Sequence, residues 1–184
     1  METVLRQNKT FKQLLWIGIG SIVMFFGGLT SAYIVRKAEG NWLEFEMPIW
    51  FTLSTIAVIV SSVSLWCALH NIKKDKSATN FLVTTLIIGL IFTFSQVQGW
   101  EDLVAQGVYL TGEGSNASGS FIYVITLAHL CHLIGGLLAL SITTLKSKLN
   151  KYSKDNYLGI ELISIYWHFI GLLWLYLFLF FSYS

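Results

Sequence analysis

Five runs of apolar residues, separated by short polar stretches, cover residues 14–35, 48–70, 80–98, 118–145 and 157–182. A helix rises 1.5 Å per residue, so about 20 apolar residues cross a hydrocarbon core of about 30 Å. Each run is near that length. Pro48 opens the second, where its missing backbone N–H is harmless because the first helical turn offers that group no partner. None of the runs alternates apolar and polar positions, as barrel strands of about ten residues do. Inside hydrocarbon every backbone polar group needs an internal partner, so the runs are read as helices. The pattern predicts an all-α polytopic membrane protein, a bundle of five transmembrane helices forming one membrane domain over residues 1–184.

Composition strengthens the membrane reading. The chain is 54% hydrophobic and 12% charged, against about 25% charged residues in soluble domains. It has one proline and no low-complexity segment, so nothing marks a second domain. The opening METVLRQNKTFKQ is polar and the run behind it is too long for a signal h-region, so no cleavable signal is expected. Cys67 and Cys131 both sit inside apolar runs and are expected to be small core residues rather than a disulfide or zinc ligands.

Charge adds an orientation. Arg6, Lys9 and Lys12 precede the first run; Lys73, Lys74 and Lys76 lie between the second and third; Lys146, Lys148, Lys151 and Lys154 lie between the fourth and fifth. Ten of the twelve basic residues thus fall on one side, leaving Arg36 and Lys37 on the other. The positive-inside rule then places the N-terminus in the cytoplasm and the C-terminus outside. Glu39, Glu44, Glu46, Glu101, Asp102 and Glu113 fall on the outer side. Trp16 and Trp66 mark the inner interface, and Trp42, Trp50 and Trp100 the outer one. Trp167 and Trp174 lie inside the last run, as helix-packing or lipid-contact residues.

Small residues suggest where helices approach. Gly27-xxx-Ser31 and Gly28-xxx-Ala32 in the first run and Gly135-xxx-Ala139 in the fourth fit the small-xxx-small pattern of close membrane packing. The connection from Gly99 to Ser118, rich in glycine and serine, is expected to be irregular.

Few polar side chains interrupt the spans, and such residues are costly unless paired or functional. His129 and His132 lie three apart, on one helical face, and counting residues from the span ends puts His168 at a similar depth. Three imidazoles at one level invite a metal or haem, but no cysteine, acid or further histidine completes a donor set. The alternative is hydrogen bonding to neighbouring helices, carbonyls or lipid. Glu161 lies two turns before His168 and roughly 6 Å into its span. Pairing with Lys151, Lys154 or a lipid amine, or a place near water, is expected there, with a proton-relay role held open. Gln96 is expected to hydrogen-bond across helices, with Glu101 and Asp102 beyond Trp100 facing water. The chain has no Ser/His/Asp arrangement, phosphate loop, CxxC or HExxH, so nothing supports autonomous catalysis.

Several blocks resemble a known family. Tyr166-Trp167-His168-Phe169 followed by Trp174 is similar to the YWHF-V-D-x-x-W pattern of the last helix of subunit III of haem–copper terminal oxidases. Phe121 with His129-Leu130-Cys131-His132-Leu133-Ile134-Gly135 resembles the preceding helix, marked by a phenylalanine and a GxHxxHxxxG run. Gly89 through Phe92, with Gln96 and Trp100, resembles its G-x-x-F-x-x-x-Q segment, and Ser21 to Gly28 with Ala32-Tyr33 resembles SEVMFFAG…AY. Five spans match the short bacterial form. Ile22 stands where the family has an intramembrane glutamate, Gly171 where it has the aspartate after YWHF-V, and Gly99 where an acid precedes the tryptophan.

The resemblance implies a non-catalytic accessory subunit of a respiratory oxidase in the bacterial inner membrane. It implies no cofactor in this chain: haem would lie in the catalytic subunit I, and subunit II would be of copper-bearing or quinol type. It also implies bound phospholipid and no nucleic-acid partner. Gln96, Trp100, His129, His132, Glu161, Trp167, His168 and Trp174 become structural or lipid-contact candidates. The competing readings are a small autonomous transporter or channel, and a haem-binding electron carrier using the three histidines. Internal repeats and broken spans would mark the transporter, and neither is visible in the sequence.

Overall fold

The computed structural model describes residues 2–43 and 45–183, with the side chains of residues 2–5 and 7 outside the description. Glu44, counted above among the outer acids, also lies outside it. Five helices carry the chain: α1 (Glu2–Ala38), α2 (Ile49–Lys73), α3 (Thr79–Ala105), α4 (Ala117–Lys148) and α5 (Leu158–Tyr183). All five are long and apolar enough to cross a membrane. The described residues form no strand, only an isolated bridge between Ser153 and Asn156.

The helix ends follow from local chemistry. After α2, α3 and α4 the chain turns through a left-handed residue: Asp75 (φ 58°), Gly107 (φ 79°) and Asn150 (φ 53°). Glycine, Asn and Asp tolerate that conformation best. In each case two backbone N–H groups return to the last turn, as Lys76 and Asp75 do to the carbonyls of Asn71 and Ile72. α4 begins with Asn116, whose Oδ1 accepts the Ser118 N–H at 3.1 Å.

α3 runs seven residues beyond the expected end at Gln98, so the irregular connection narrows to residues 106–116. The reason is packing. Gly99 stays helical and buried because its missing side chain lets α3 lie against the Phe51 ring of α2.

α2, α3, α4 and α5 form a ring of backbone neighbours, with α2 and α3 the closest pair; α1 touches only α4 and α5. The ring is filled by two indoles from α5. Trp167 packs on Gly89 of α3 and Gly136 of α4, and donates its N–H to Ser61 of α2 at 3.0 Å. One turn pair further on, Trp174 meets Phe51, Phe92 and His129, with ring centroids 5.6, 5.3 and 5.3 Å away. Both are buried.

Two expectations are corrected here. The small-xxx-small pairs do not bring helices together: Gly27, Gly28, Ser31, Ala32, Gly135 and Ala139 are exposed, and a Cβ on any of those three glycines would meet nothing within 4 Å. The spacing identifies a smooth face but not which face meets a neighbour. The close approaches between helices occur instead at Gly89, Gly99, Gly136 and Gly171. Nor is either cysteine a core residue: Cys131 lies on the exposed face of α4 and Cys67 is half-buried.

Candidate functional site

The polar residues of the spans form an internal network of indoles, amides and hydroxyls. Trp174 Nε1 donates to Thr55 Oγ1 at 3.0 Å, Gln96 Nε2 to Ser54 Oγ at 2.9 Å, and Trp100 Nε1 to Thr126 Oγ1 at 3.0 Å. Each accepting hydroxyl passes its own proton back along its helix. Ser54 and Thr55 donate to the Phe51 carbonyl, Ser61 to Val58 and Thr126 to Ile122. A hydroxyl donates once and accepts twice, so it can satisfy a buried indole without being left short itself. In hydrocarbon, where water is absent, such contacts hold helices in register.

Sequence reasoning found the donors and missed the acceptors. Ser54 and Ser61, and Thr55 and Ser62, recur seven residues apart on α2. That spacing places small hydroxyls along one helical face and could have identified them.

The three histidines do not share a site. His129 is fully buried between Phe26, Phe92 and Trp174, and neither ring nitrogen has a hydrogen-bond partner among the described residues. His132 also meets Phe26, with centroids 5.6 Å apart. Its Nδ1 lies 2.7 Å from the Ala128 carbonyl, which makes Nδ1 the donor. Its backbone carbonyl accepts the Tyr166 hydroxyl at 2.9 Å. His168, half-buried, points along a different face of α5, about 100° round from Trp167. Only His129 and His132 therefore lie together, and the three imidazoles do not converge. The bond expected to a carbonyl is the one His132 makes within α4, whereas His129 is held by aromatic contacts. No group of three His, Cys, Asp or Glu side chains among the described residues could hold a metal ion.

Glu161 finds a partner the sequence did not suggest. Its Oε1 accepts from Lys12 Nζ at 2.7 Å, joining α5 to the basic end of α1, rather than Lys151 or Lys154. The pair is 149 residues apart in the chain, so no local pattern reveals it. Asn8, Lys9, Asp155 and Asn156 surround it in a polar recess of about 290 Å³. Nearer mid-span, Leu15, Gly135, Ala139, Thr143, Leu162 and Tyr166 line an apolar groove of about 440 Å³ between α1 and the α4–α5 pair.

At the opposite end, amide side chains fasten the connections. Gln106 accepts the Glu46 N–H and donates to the Glu46 carbonyl, both at 3.1 Å, and Asn116 donates to the Asn41 carbonyl. Trp100, near the outer end of α3, is tied into the bundle through Thr126. Glu101 is exposed and accepts from Gln98, and Asp102 is half-buried.

Comparison with known proteins gives a consistent picture. Residues 42–184 match the family model described as cytochrome c oxidase subunit III. The chain is 31% identical over 173 residues to a probable cytochrome c oxidase subunit 3 of Nocardia farcinica, covering 90% of this chain and 82% of that one. It is 25% identical over 171 residues to a probable quinol oxidase subunit 3 of Staphylococcus saprophyticus, covering 89% and 83%. Against the cytochrome c oxidase subunit 3 of Danio rerio, identity is 31% over 139 residues, which span 73% of this chain and 49% of that protein.

Proposed function

Because this chain belongs to the cytochrome c oxidase subunit III family, we infer that it is an accessory subunit of a bacterial haem–copper oxidase, an integral multi-pass membrane protein associated with other oxidase subunits. The observation that carries this reading is the family match across α2 to α5, the helices that form the closed ring. Haem and copper chemistry belongs, on this reading, to the catalytic subunit I and to a copper-bearing or quinol-type subunit II. The relatives include both cytochrome c and quinol oxidase subunits, so the donor follows from the second subunit that assembles with this chain. The basic end of the bundle faces the cytoplasm.

The chain supports its partner by holding lipid. The groove lined by Leu15, Gly135, Ala139 and Tyr166 has the apolar character of an acyl-chain seat, and the recess with Lys9 and Lys12 below it suits an anionic headgroup. Exposed small residues at Gly135 and Ala139 leave room for the chain. Glu161 orients Lys12 and fixes α1 rather than relaying protons.

The test is affinity purification from native membranes with mass spectrometry, oxygen-consumption assay and lipid extraction. Recovery with a haem-bearing subunit and oxidase activity is expected, with anionic phospholipid retained. Recovery as a lone homo-oligomer would sink the assignment.

A further inference from the structure

The outer surface of the bundle is largely apolar, as lipid requires, but one stripe carries an imidazole in mid-span. On α5, Ile165, His168, Leu172 and Leu179 follow at spacings of three, four and seven, so they share a face. Leu172 is 66% and Leu179 44% exposed. Phe169, Leu173 and Tyr176 border α1 on one side, and Gly171 and Trp174 border α2 on the other. α1 and α2 do not touch, so no helix of this chain covers the strip between them.

His168 makes no hydrogen bond or ring contact among the described residues, and Ser62 of α2 makes no hydrogen bond there either. Ser62 borders Gly171, one turn from His168. His168 stands ten residues, about 15 Å, into a 26-residue helix. Neither water nor headgroups reach that depth. His132 shows that an imidazole can turn one nitrogen back to its own helix, but that leaves the other without a partner. Acyl chains satisfy neither group.

We propose that this stripe seats a transmembrane helix of a neighbouring oxidase subunit, which presents a hydrogen-bonding side chain to His168 and Ser62. The proposal rests on the oxidase assignment above and adds the face that docks. The exposed faces of α3 and α4, carrying Leu90, Phe94 and Leu138, are mostly apolar and suit lipid instead.

The test uses the complete complex in native membranes. A photo-crosslinking residue replaces Leu172 on the stripe, Leu90 on α3 or Leu138 on α4, and crosslinked peptides are identified by mass spectrometry. The expected result is a crosslink from position 172 to a transmembrane peptide of another oxidase subunit. In parallel, His168→Ala lowers the fraction of this chain retained on the complex in detergent by roughly three- to tenfold, while His168→Gln, which keeps a donor and an acceptor, restores most of it. If His168→Ala fails to fold, the crosslinks decide. Crosslinks only from positions 90 or 138, or silence at 172 in a chain that copurifies with the oxidase, overturn the docking face and leave the assignment standing. Failure to copurify with any haem-bearing subunit overturns the assignment, and the docking with it.

Discussion

The hydroxyls of Ser54, Thr55, Ser61 and Thr126 each join a neighbouring helix to the backbone of their own, and removing one has a different consequence from removing its partner. Ser61→Ala leaves the Trp167 N–H buried without an acceptor, which costs about 1–3 kcal/mol. Adding Trp167→Phe removes that donor, so the double variant loses less than the two single changes added together. Thermal unfolding of the four proteins in one detergent measures the difference. His129 is the opposite case, a buried imidazole surrounded by rings with both nitrogens lacking hydrogen bonds among the described residues. His129→Leu therefore leaves the unfolding temperature unchanged or raises it, because it removes a polar group that gains little from its site. A loss like that of Ser61→Ala would show that the imidazole has a partner. The sequence revealed these residues only in part. Indoles and histidines inside an apolar run are conspicuous, whereas serine and threonine are common in membrane helices and reveal an acceptor only when the facing helix is known.

At the scale of the helix, the runs themselves were plain because a span of about 20 apolar residues is a local property. Which face of each helix turns inward was not. In a soluble helix the polar stripe marks the outside, but here both lipid and core are apolar, so the usual periodicity carries little contrast. Glycines decide much of the packing, and their spacing alone named the wrong ones. Gly99→Ala drives a Cβ into the buried Phe51 ring and destabilises by about 1–3 kcal/mol through overpacking. Gly28→Ala meets open space and is neutral or stabilising by up to about 1 kcal/mol from helix propensity. Denaturation midpoints of the two variants in matched micelles separate these outcomes. The ion pair that anchors α1 to α5 is partly exposed, so Lys12→Ala costs less than about 1 kcal/mol. Its effect is local: protease cleavage in the first turns of α1 speeds up while the bundle's unfolding temperature holds.

For the molecule as a whole, lysine distribution predicts the orientation, and cysteine labelling checks it. In a chain lacking Cys67 and Cys131, Ser115→Cys reacts with a membrane-impermeant maleimide in intact cells, while Lys148→Cys reacts only after permeabilisation. The reverse pattern would invert the topology. The architecture also separates α1 from everything else: four helices close a ring and the fifth leans on two of them, while the family match begins at residue 42, just past α1. Membrane helices are stable one by one before they associate. A break in the connection between α1 and α2 should therefore not destroy the protein, because covalent continuity there contributes proximity rather than shape. Residues 1–43 and 44–184, produced as separate polypeptides in one cell, are expected to meet in the bilayer and restore the whole by complementation. Lys12→Ala in the shorter piece then becomes far more damaging than in the intact chain, since the tether no longer masks a weak contact.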